Sequence, residues 1–132
     1  MMPEPQQESR RAPAPAAVVD AYLAAIAARD FEGARRWLSD ESFTHRSPIS
    51  SFNSADDFIG DISRIGPILE GIERRRTFVD GRDVCAVVNY VTRMDRREVT
   101  PAVHWMTVAG GKIVSIETFF DARGYAKLFD VE

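Results

Sequence analysis

The sequence has 132 residues and a formal net charge of −3, with 45% hydrophobic and 28% charged residues. These values predict one globular domain with a real core, and the acidic balance argues against nucleic acid or an anionic membrane surface as a partner. A single cysteine, Cys85, excludes an internal disulfide, and with only two histidines a dedicated His/Cys metal site is not expected.

The N-terminal residues 1–13 are rich in proline, glutamine and charge, which predicts a disordered tail. Residues 14–132 are then expected to form a single domain. Arginines followed by an alanine-rich stretch faintly resemble a secretory leader, but Asp20 interrupts the apolar run and the pattern there is helical. We therefore expect a cytoplasmic protein with no leader and no membrane span.

Three helices are predicted in the first half. From Pro15, apolar residues recur at spacings of three and four, which indicates a helix ending near Ala28 or Arg29. The segment "RDFEGARRWLSDE" predicts a short second helix. A third begins at the capping residue Ser54 in "SADDFIGDISRIGPIL" and ends or kinks at Gly66-Pro67.

Four consecutive strands follow, because the apolar period then becomes two. They read "GIERRRTFVDG", "DVCAVVNYVTRMD", "EVTPAVHWMTVAGG" and "KIVSIETFFD", and "ARGYAKLF" predicts a short closing helix or tail. Helices followed by a strand meander indicate the α+β class. We expect a cone-shaped, curved antiparallel sheet with about three helices across its concave face and a small-molecule pocket inside.

This element order resembles the nuclear transport factor 2-like superfamily over about residues 16–129. The residues that carry the resemblance are "VVDAYLAAIAARDFEGARRWLSDE" in the first two helices and "GGKIVSIETFFD" at the last strand. The sequence is most similar to the SnoaL-like branch, which includes relatives of polyketide cyclases, limonene epoxide hydrolases and ketosteroid isomerases. The superfamily contains enzymes, binding modules and assembly domains, so the fold alone does not decide the function.

The resemblance to ketosteroid isomerases implies specific roles at three places. Tyr22 falls at the position of their oxyanion-hole tyrosine. The position of their catalytic aspartate holds His45 and Arg46, and the position of their second oxyanion donor holds Val103. With two of the three parts missing, steroid isomerisation is not expected.

The resemblance to the epoxide hydrolases of this fold is carried by "VTRMD". Arg93 and Asp95 match their Arg-x-Asp pattern, whereas Thr118 stands at the place of their second catalytic aspartate. Their water-holding residues fall near Thr44 and Arg46. The resemblance implies that Arg93 and Asp95 face the cone, where Arg93 would keep Asp95 ionised as a modest base. The alternative is a solvated ion pair at the end of a strand.

The candidate pocket residues follow from these positions. Asp95, Arg93, His45 and Tyr22 are the candidate catalytic residues. Candidate substrate-binding residues are Trp37, Arg46, Phe58, Asn89, Val103, Trp105, Thr118 and Phe120. If Val103 and Trp105 face inward, the opposite face of the last strands carries Ala102, His104, Met106, Val108 and, on the final strand, Phe119. That face is too apolar for free solvent and predicts a homodimer.

Two functions of different classes remain open. The first is a small enzyme without cofactor or metal, which acts by acid–base chemistry on a hydrophobic oxygenated small molecule. Cyclisation, isomerisation, dehydration and epoxide opening all fit this description, with Asp95 as base and with His45 and Tyr22 as donors to an oxyanion. The second is a non-catalytic ligand-binding or dimeric assembly domain.

Overall fold

Three helices form the first half of the computed structural model, which describes residues 12–123. Helix α1 spans Pro15–Ala27, α2 spans Phe31–Arg35 and α3 spans Ala55–Ile62, and a 3-10 segment at Ser63–Ile68 follows α3. All three predicted helices are present, and the third changes to the 3-10 form just before the predicted Gly-Pro break.

Local side-chain hydrogen bonds explain where two of the helices begin. The Asp30 carboxylate accepts a hydrogen bond from the Gly33 amide at 2.9 Å, and the Ser54 hydroxyl accepts one from the Asp57 amide at 3.2 Å. Each bond satisfies an amide that has no partner within the first helical turn. The predicted cap at Ser54 is therefore present.

The sheet has six strands in the spatial order β2-β1-β6-β5-β4-β3. The strands are β1 Thr44–Arg46, β2 Ser51–Phe52, β3 Leu69–Asp80, β4 Asp83–Arg93, β5 Arg97–Ala109 and β6 Lys112–Phe120. The four long strands pair antiparallel in chain order, as predicted. Gly81 and the Gly110-Gly111 pair have positive φ and form two of the turns.

Strand β1 makes the sheet mixed, because it pairs parallel to β6 and antiparallel to β2. His45 is thereby placed opposite Ile116 on β6. The sheet is curved and not closed, and the helices lie on its concave side. This pairing places residues 44–46, which precede α3 in the chain, beside the last strand.

The core fills much of the space between α1 and the concave side of the sheet. Its buried members include Val18, Val19, Leu23 and Ile26 from α1 and Val84, Ala86, Val88, Met106 and Val108 from the sheet. Burying one large aliphatic side chain contributes about 1.5–3 kcal/mol, so this contact fixes the helix on the sheet.

The convex side of the sheet has a different character. Phe78, Trp105 and Phe119 are exposed there to 54%, 46% and 49%, and they line one shallow depression together with Val79, Asp83, Cys85 and Val103. We call this set the outer patch. Side chains on this side do not contribute to the main core.

Two predictions fall mainly outside the described residues. Only residues 12 and 13 of the expected tail and residues 122 and 123 of the expected closing helix are described. Within residues 12–123, no helix has the length and apolar character needed to cross a membrane.

Candidate functional site

A cavity of about 100 Å³ lies between the concave face of the sheet, α3 and the segment around β1 and β2. Its apolar lining residues are Ile49, Phe58, Ile62, Ile65, Ala102 and Phe120. Its polar and titratable lining residues are His45, Ser47, Ser50, Asp61, Tyr90, Thr100, His104 and Thr118. An apolar recess with a few convergent polar groups is the usual form of a small-molecule site.

Three of the polar lining residues form a buried hydrogen-bonded group, which we call the trio. The Tyr90 hydroxyl lies 2.6 Å from Nε2 of His104, and the Thr118 hydroxyl lies 2.8 Å from Nδ1 of the same imidazole. The strand register explains the second contact, because His104 on β5 is directly opposite Thr118 on β6. All three side chains are more than nine-tenths buried.

The environment of His104 keeps its imidazole neutral. Burial, followed by the influence of His45, lowers the pKa of His104 to about 3. In the neutral form one ring nitrogen donates and the other accepts. Tyr90, His104 and Thr118 then carry three exchangeable protons and share two hydrogen bonds.

His45 lies on β1 with its ring against aromatic side chains. Its ring centroid is 4.3 Å from that of Phe58 and 6.1 Å from that of Phe52. Burial, followed by the positive charge of Arg46, lowers the pKa of His45 to about 4. Nδ1 of His45 is buried and has no hydrogen-bond partner among residues 12–123. Such an atom is costly to leave unpaired, and a ligand in the cavity would pair it.

Arg46 fixes the strand that carries His45. Its guanidinium donates to the backbone carbonyls of His45 and Phe52 at 2.8 and 3.1 Å and to the Asn53 side chain at 3.1 Å. These bonds tie β1 to β2. Arg46 is exposed and does not line the cavity, so it holds the site in place from outside rather than contacting a ligand.

Asp61 is the one residue with a carboxylate among the described lining residues. It is half-buried and forms an ion pair with Arg64 at 3.1 Å. None of the described lining residues is a lysine or arginine. Within residues 12–123, no three His, Cys, Asp or Glu side chains are grouped as a metal-ligand set.

Four of the residues predicted from the sequence meet in this cavity. They are His45, Phe58, Thr118 and Phe120. Tyr22 is buried in the core rather than on the cavity wall, and burial, followed by the influence of Tyr90, raises its pKa well above the usual range. Trp37 lines a separate surface groove beside Lys112.

Arg93 and Asp95 lie outside the cavity, which corrects the expectation that they face it. The buried residues of β4 include Val84, Ala86, Val88 and Tyr90, so Asn89 and Arg93 point the other way. Arg93 donates to Glu70 at 2.7 Å, and Asn89 donates to Glu73 at 3.3 Å. Asp95 is exposed in the turn between β4 and β5. Arg93 therefore meets water and the charge of Glu70, and the Asn89 amide meets the charge of Glu73 on β3.

The orientation of β5 is also the reverse of the expectation. Ala102, His104, Met106 and Val108 are buried on the concave side, whereas Val103 and Trp105 belong to the outer patch. Both faces of this strand are largely apolar, so alternation by itself did not identify the inner one. Within the trio, His104 and Tyr90 are thus the residues that the sequence reasoning missed. The alternate residues Val84, Ala86, Val88 and Tyr90 on β4 are all apolar or aromatic, and this alternation could have predicted that Tyr90 points inward.

Comparison with known proteins agrees with this architecture. Residues 19–116 match the SnoaL-like domain family. An NTF2-like protein of unknown function from Cytophaga hutchinsonii superposes with a TM-score of 0.73 at 19% identity, covering 88% of this chain and 97% of that one. An LEH-like epoxide hydrolase from Mycobacterium tuberculosis superposes with a TM-score of 0.69 at 18% identity, covering 87% and 94%.

A Shewanella denitrificans protein named after the SnoaL-like polyketide cyclases superposes with a TM-score of 0.72 at 10% identity, covering 89% and 98% of the two chains. At these identities the superpositions establish the fold and not the reaction. No curated protein gives a significant match.

Proposed function

Because the chain belongs to the SnoaL-like domain family, we propose that it is a small-molecule enzyme that works by acid–base chemistry without a cofactor. Its substrate is a hydrophobic oxygenated molecule held in the concave cavity. The reaction is one that needs only proton movement and oxyanion stabilisation, which means cyclisation, isomerisation, dehydration or epoxide opening. The epoxide hydrolase and cyclase names among the similar structures are consistent with this range.

One observation supports the proposal above all. The described polar side chains of the cavity include a neutral histidine, His45, with an unpaired ring nitrogen, and the hydroxyl group of Thr118 at one end of the trio. A base and a hydrogen-bond donor on the wall of one apolar recess are the two elements that such reactions require.

The chemistry follows from the state of each group. His45 is neutral at ordinary pH, so it is free to accept a proton from a substrate carbon, a hydroxyl or a water molecule. The lowered pKa makes it a modest base, and a substrate with an already acidic proton suits it best. The Thr118 hydroxyl group, at one end of the trio, donates a hydrogen bond to the oxygen on which negative charge develops. Such a donor acts strongly because the cavity is largely apolar.

His45 replaces Asp95 as the base in this proposal. The exposure of Asp95 and the pairing of Arg93 with Glu70 make a base at that position ineffective for a substrate in the cavity. Tyr22 supports the site only indirectly, through its position near Tyr90.

The test is turnover of a panel of small epoxides, β-hydroxyketones and enolisable diketones by wild type and three variants. His45→Phe keeps an aromatic ring in place and removes the base, so we expect a loss of about a hundredfold or more in kcat. Thr118→Val removes one member of the trio and should also lower kcat. Asp95→Asn is the matched control and should keep the wild-type rate. If His45→Phe keeps full activity while Asp95→Asn loses it, the assignment of the base is wrong.

A second function has a specific observation in its favour. Sites for drug-sized ligands usually have volumes of about 300–1,000 Å³, whereas this cavity has about 100 Å³. A domain that only binds a small ligand would need no more space than this. Binding of panel compounds without any turnover would favour this function.

We also propose that two copies pair through the outer patch. Exposed aromatic side chains at Phe78, Trp105 and Phe119 form an apolar surface of the kind that dimers cover. A single domain at 14–132 after a disordered tail, and a cytoplasmic location, stay predictions from the sequence.

A further inference from the structure

The wall of the cavity carries one negative charge and, among its described residues, no positive charge. Asp61 supplies the carboxylate, and the described lining set contains no lysine or arginine. The imidazoles of His45 and His104 have pKa values of about 4 and about 3, so both are neutral at ordinary pH. An anionic ligand would therefore meet a like charge on this wall, whereas a cationic ligand would meet an opposite one.

Asp61 lies where the cavity meets solvent. It precedes the lining residue Ile62 at the end of α3, and its side chain is 35% exposed. Water and salt screen a charge in such a half-buried position less than a charge on the open surface. Arg64, which does not line the cavity and whose side chain is 58% exposed, donates to Oδ1 of Asp61 at 3.1 Å. Arg64 is thus a solvent-exposed counter-ion for the carboxylate.

Arg46 is a second positive charge near the wall. Burial, followed by the charge of Arg46, lowers the pKa of His45 on β1. The guanidinium of Arg46 donates to the backbone carbonyls of His45 and Phe52 and to the side chain of Asn53, and it does not line the cavity. A cationic group of a ligand should therefore lie on the side of the cavity that α3 forms, next to Asp61, rather than beside β1.

The rest of the wall suits an alkylated ammonium group. The apolar lining residues are aliphatic except for Phe58 and Phe120. Aromatic rings attract cations through the negative potential of their faces, and the attraction is stronger where water is excluded. An N–H group in an apolar recess needs a hydrogen-bond partner, and a methyl group in its place does not. The wall therefore favours a methylated nitrogen over a bare ammonium.

We propose that the ligand of the cavity carries an alkylated ammonium group that pairs with the carboxylate of Asp61. This inference rests on the proposed function, because it assigns a charge to the substrate held in the same cavity. The substrate is then an oxygenated amine, such as an amino alcohol or an amino ketone. A cavity of about 150 Å³ holds the six carbon atoms of benzene, so the four heavy atoms of a trimethylammonium group fit about 100 Å³.

The experiment compares three probes that share one branched shape. Choline carries a trimethylammonium group, neohexyl alcohol has a quaternary carbon in place of the nitrogen, and tert-butylacetate combines that carbon group with a negative charge. Each probe is titrated into isotope-labelled full-length protein at constant ionic strength, and the shifts of backbone amide signals give its Kd and its location. Choline should bind at least about tenfold more tightly than neohexyl alcohol. Tert-butylacetate should bind most weakly, and choline should shift the signals of α3 most.

Two variants with opposite expected effects test the role of Asp61. Asp61→Asn should weaken choline binding at least about tenfold and leave neohexyl alcohol unchanged, which also shows that the cavity is intact. Arg64→Gln should strengthen choline binding, because the carboxylate then loses its own counter-ion. Asp57→Asn is the matched control, since Asp57 lies on the same helix, is exposed and does not line the cavity. It makes the same change of net charge and should leave all three affinities unchanged.

Three results overturn the inference. They are equal binding of choline and neohexyl alcohol by the wild type, no binding of choline at millimolar concentration, and a choline affinity that Arg64→Gln lowers. A purely structural role of the ion pair predicts the last result, because both of its variants would then weaken every probe alike.

The outcome is independent of catalysis. Preference for choline without turnover of any panel compound removes the enzyme and keeps the ligand class. Turnover that depends on His45, together with equal binding of choline and neohexyl alcohol, keeps the enzyme and removes the ligand class.

Discussion

Acidification should destabilise this protein through two side chains. His45 and His104 are the two histidines of the sequence, and their pKa values in the folded state are about 4 and about 3. In the unfolded state both return to the ordinary value of about 6.5. As the pH falls below about 6.5, the unfolded state therefore binds more protons than the folded state. The free energy of unfolding is at its full value above about pH 6.5 and decreases as the pH is lowered below it.

The magnitude follows from the same shifts. An imidazole that stays neutral when folded and titrates near 6.5 when unfolded loses about 2 kcal/mol of stability between about pH 7 and about pH 5. Together the two histidines should lower the free energy of unfolding by roughly 4 kcal/mol, and a typical domain has a total stability of about 5–15 kcal/mol. Most carboxylates titrate below this window, so the histidines dominate it.

Urea denaturation followed by tryptophan fluorescence at the two pH values measures the loss. His45→Phe and His104→Gln each remove one titrating group, so each should lose about half as much stability on acidification as the wild type. Comparing each protein with itself cancels the fixed cost of the substitution. The reasoning fails if wild-type stability is the same at both pH values, or if both variants retain the full loss.

Four further substitutions have definite expected results. Asp95→Ala should change the free energy of unfolding by less than about 0.5 kcal/mol in urea titrations, because the side chain is exposed; a loss of several kcal/mol would show that it is buried in solution. Gly60→Ala should stabilise by about 0.5–1 kcal/mol, since nothing lies within 4 Å of the added methyl group. Gly33→Ala should show no such gain, because its methyl group would clash with the capping carboxylate of Asp30; equal gains would contradict the cap. Trp105→Lys should convert the proposed dimer to a monomer in light scattering, and a wild-type monomer at micromolar concentration would refute the outer patch as an interface.

Most of the fold follows from local patterns in the sequence. The spacing of apolar residues changes from three and four to two, which separates the helices from the strands. Ser54 marks the start of a helix, and the Gly110-Gly111 pair marks a turn between two strands. These signals are short-range, since a cap or a turn depends on residues within a few positions of one another. They are therefore readable without knowledge of the rest of the molecule.

The composition of the site depends on which face of each strand is buried, and no local sequence pattern specifies this. On β5 both faces are largely apolar, so Val103 and Trp105 were as plausible inside as Ala102 and His104. A shift of one residue moves every side chain of a strand to the other face. Only the burial of one face beneath α1 and the neighbouring elements makes the distinction. That long-range contact turned His104 inward and left Arg93 facing the charges of β3.

The amino-acid sequence by itself determined the element order, the helix starts, the strand meander and the presence of His45 in the segment before α3. The tertiary structure alone decided which residues accompany His45. The parallel pairing of β1 with β6 places His45 beside Ile116, and the antiparallel pairing of β5 with β6 places His104 opposite Thr118. These partners are distant in the sequence, so their proximity comes from sheet register and helix packing, which are set by burial of the whole core.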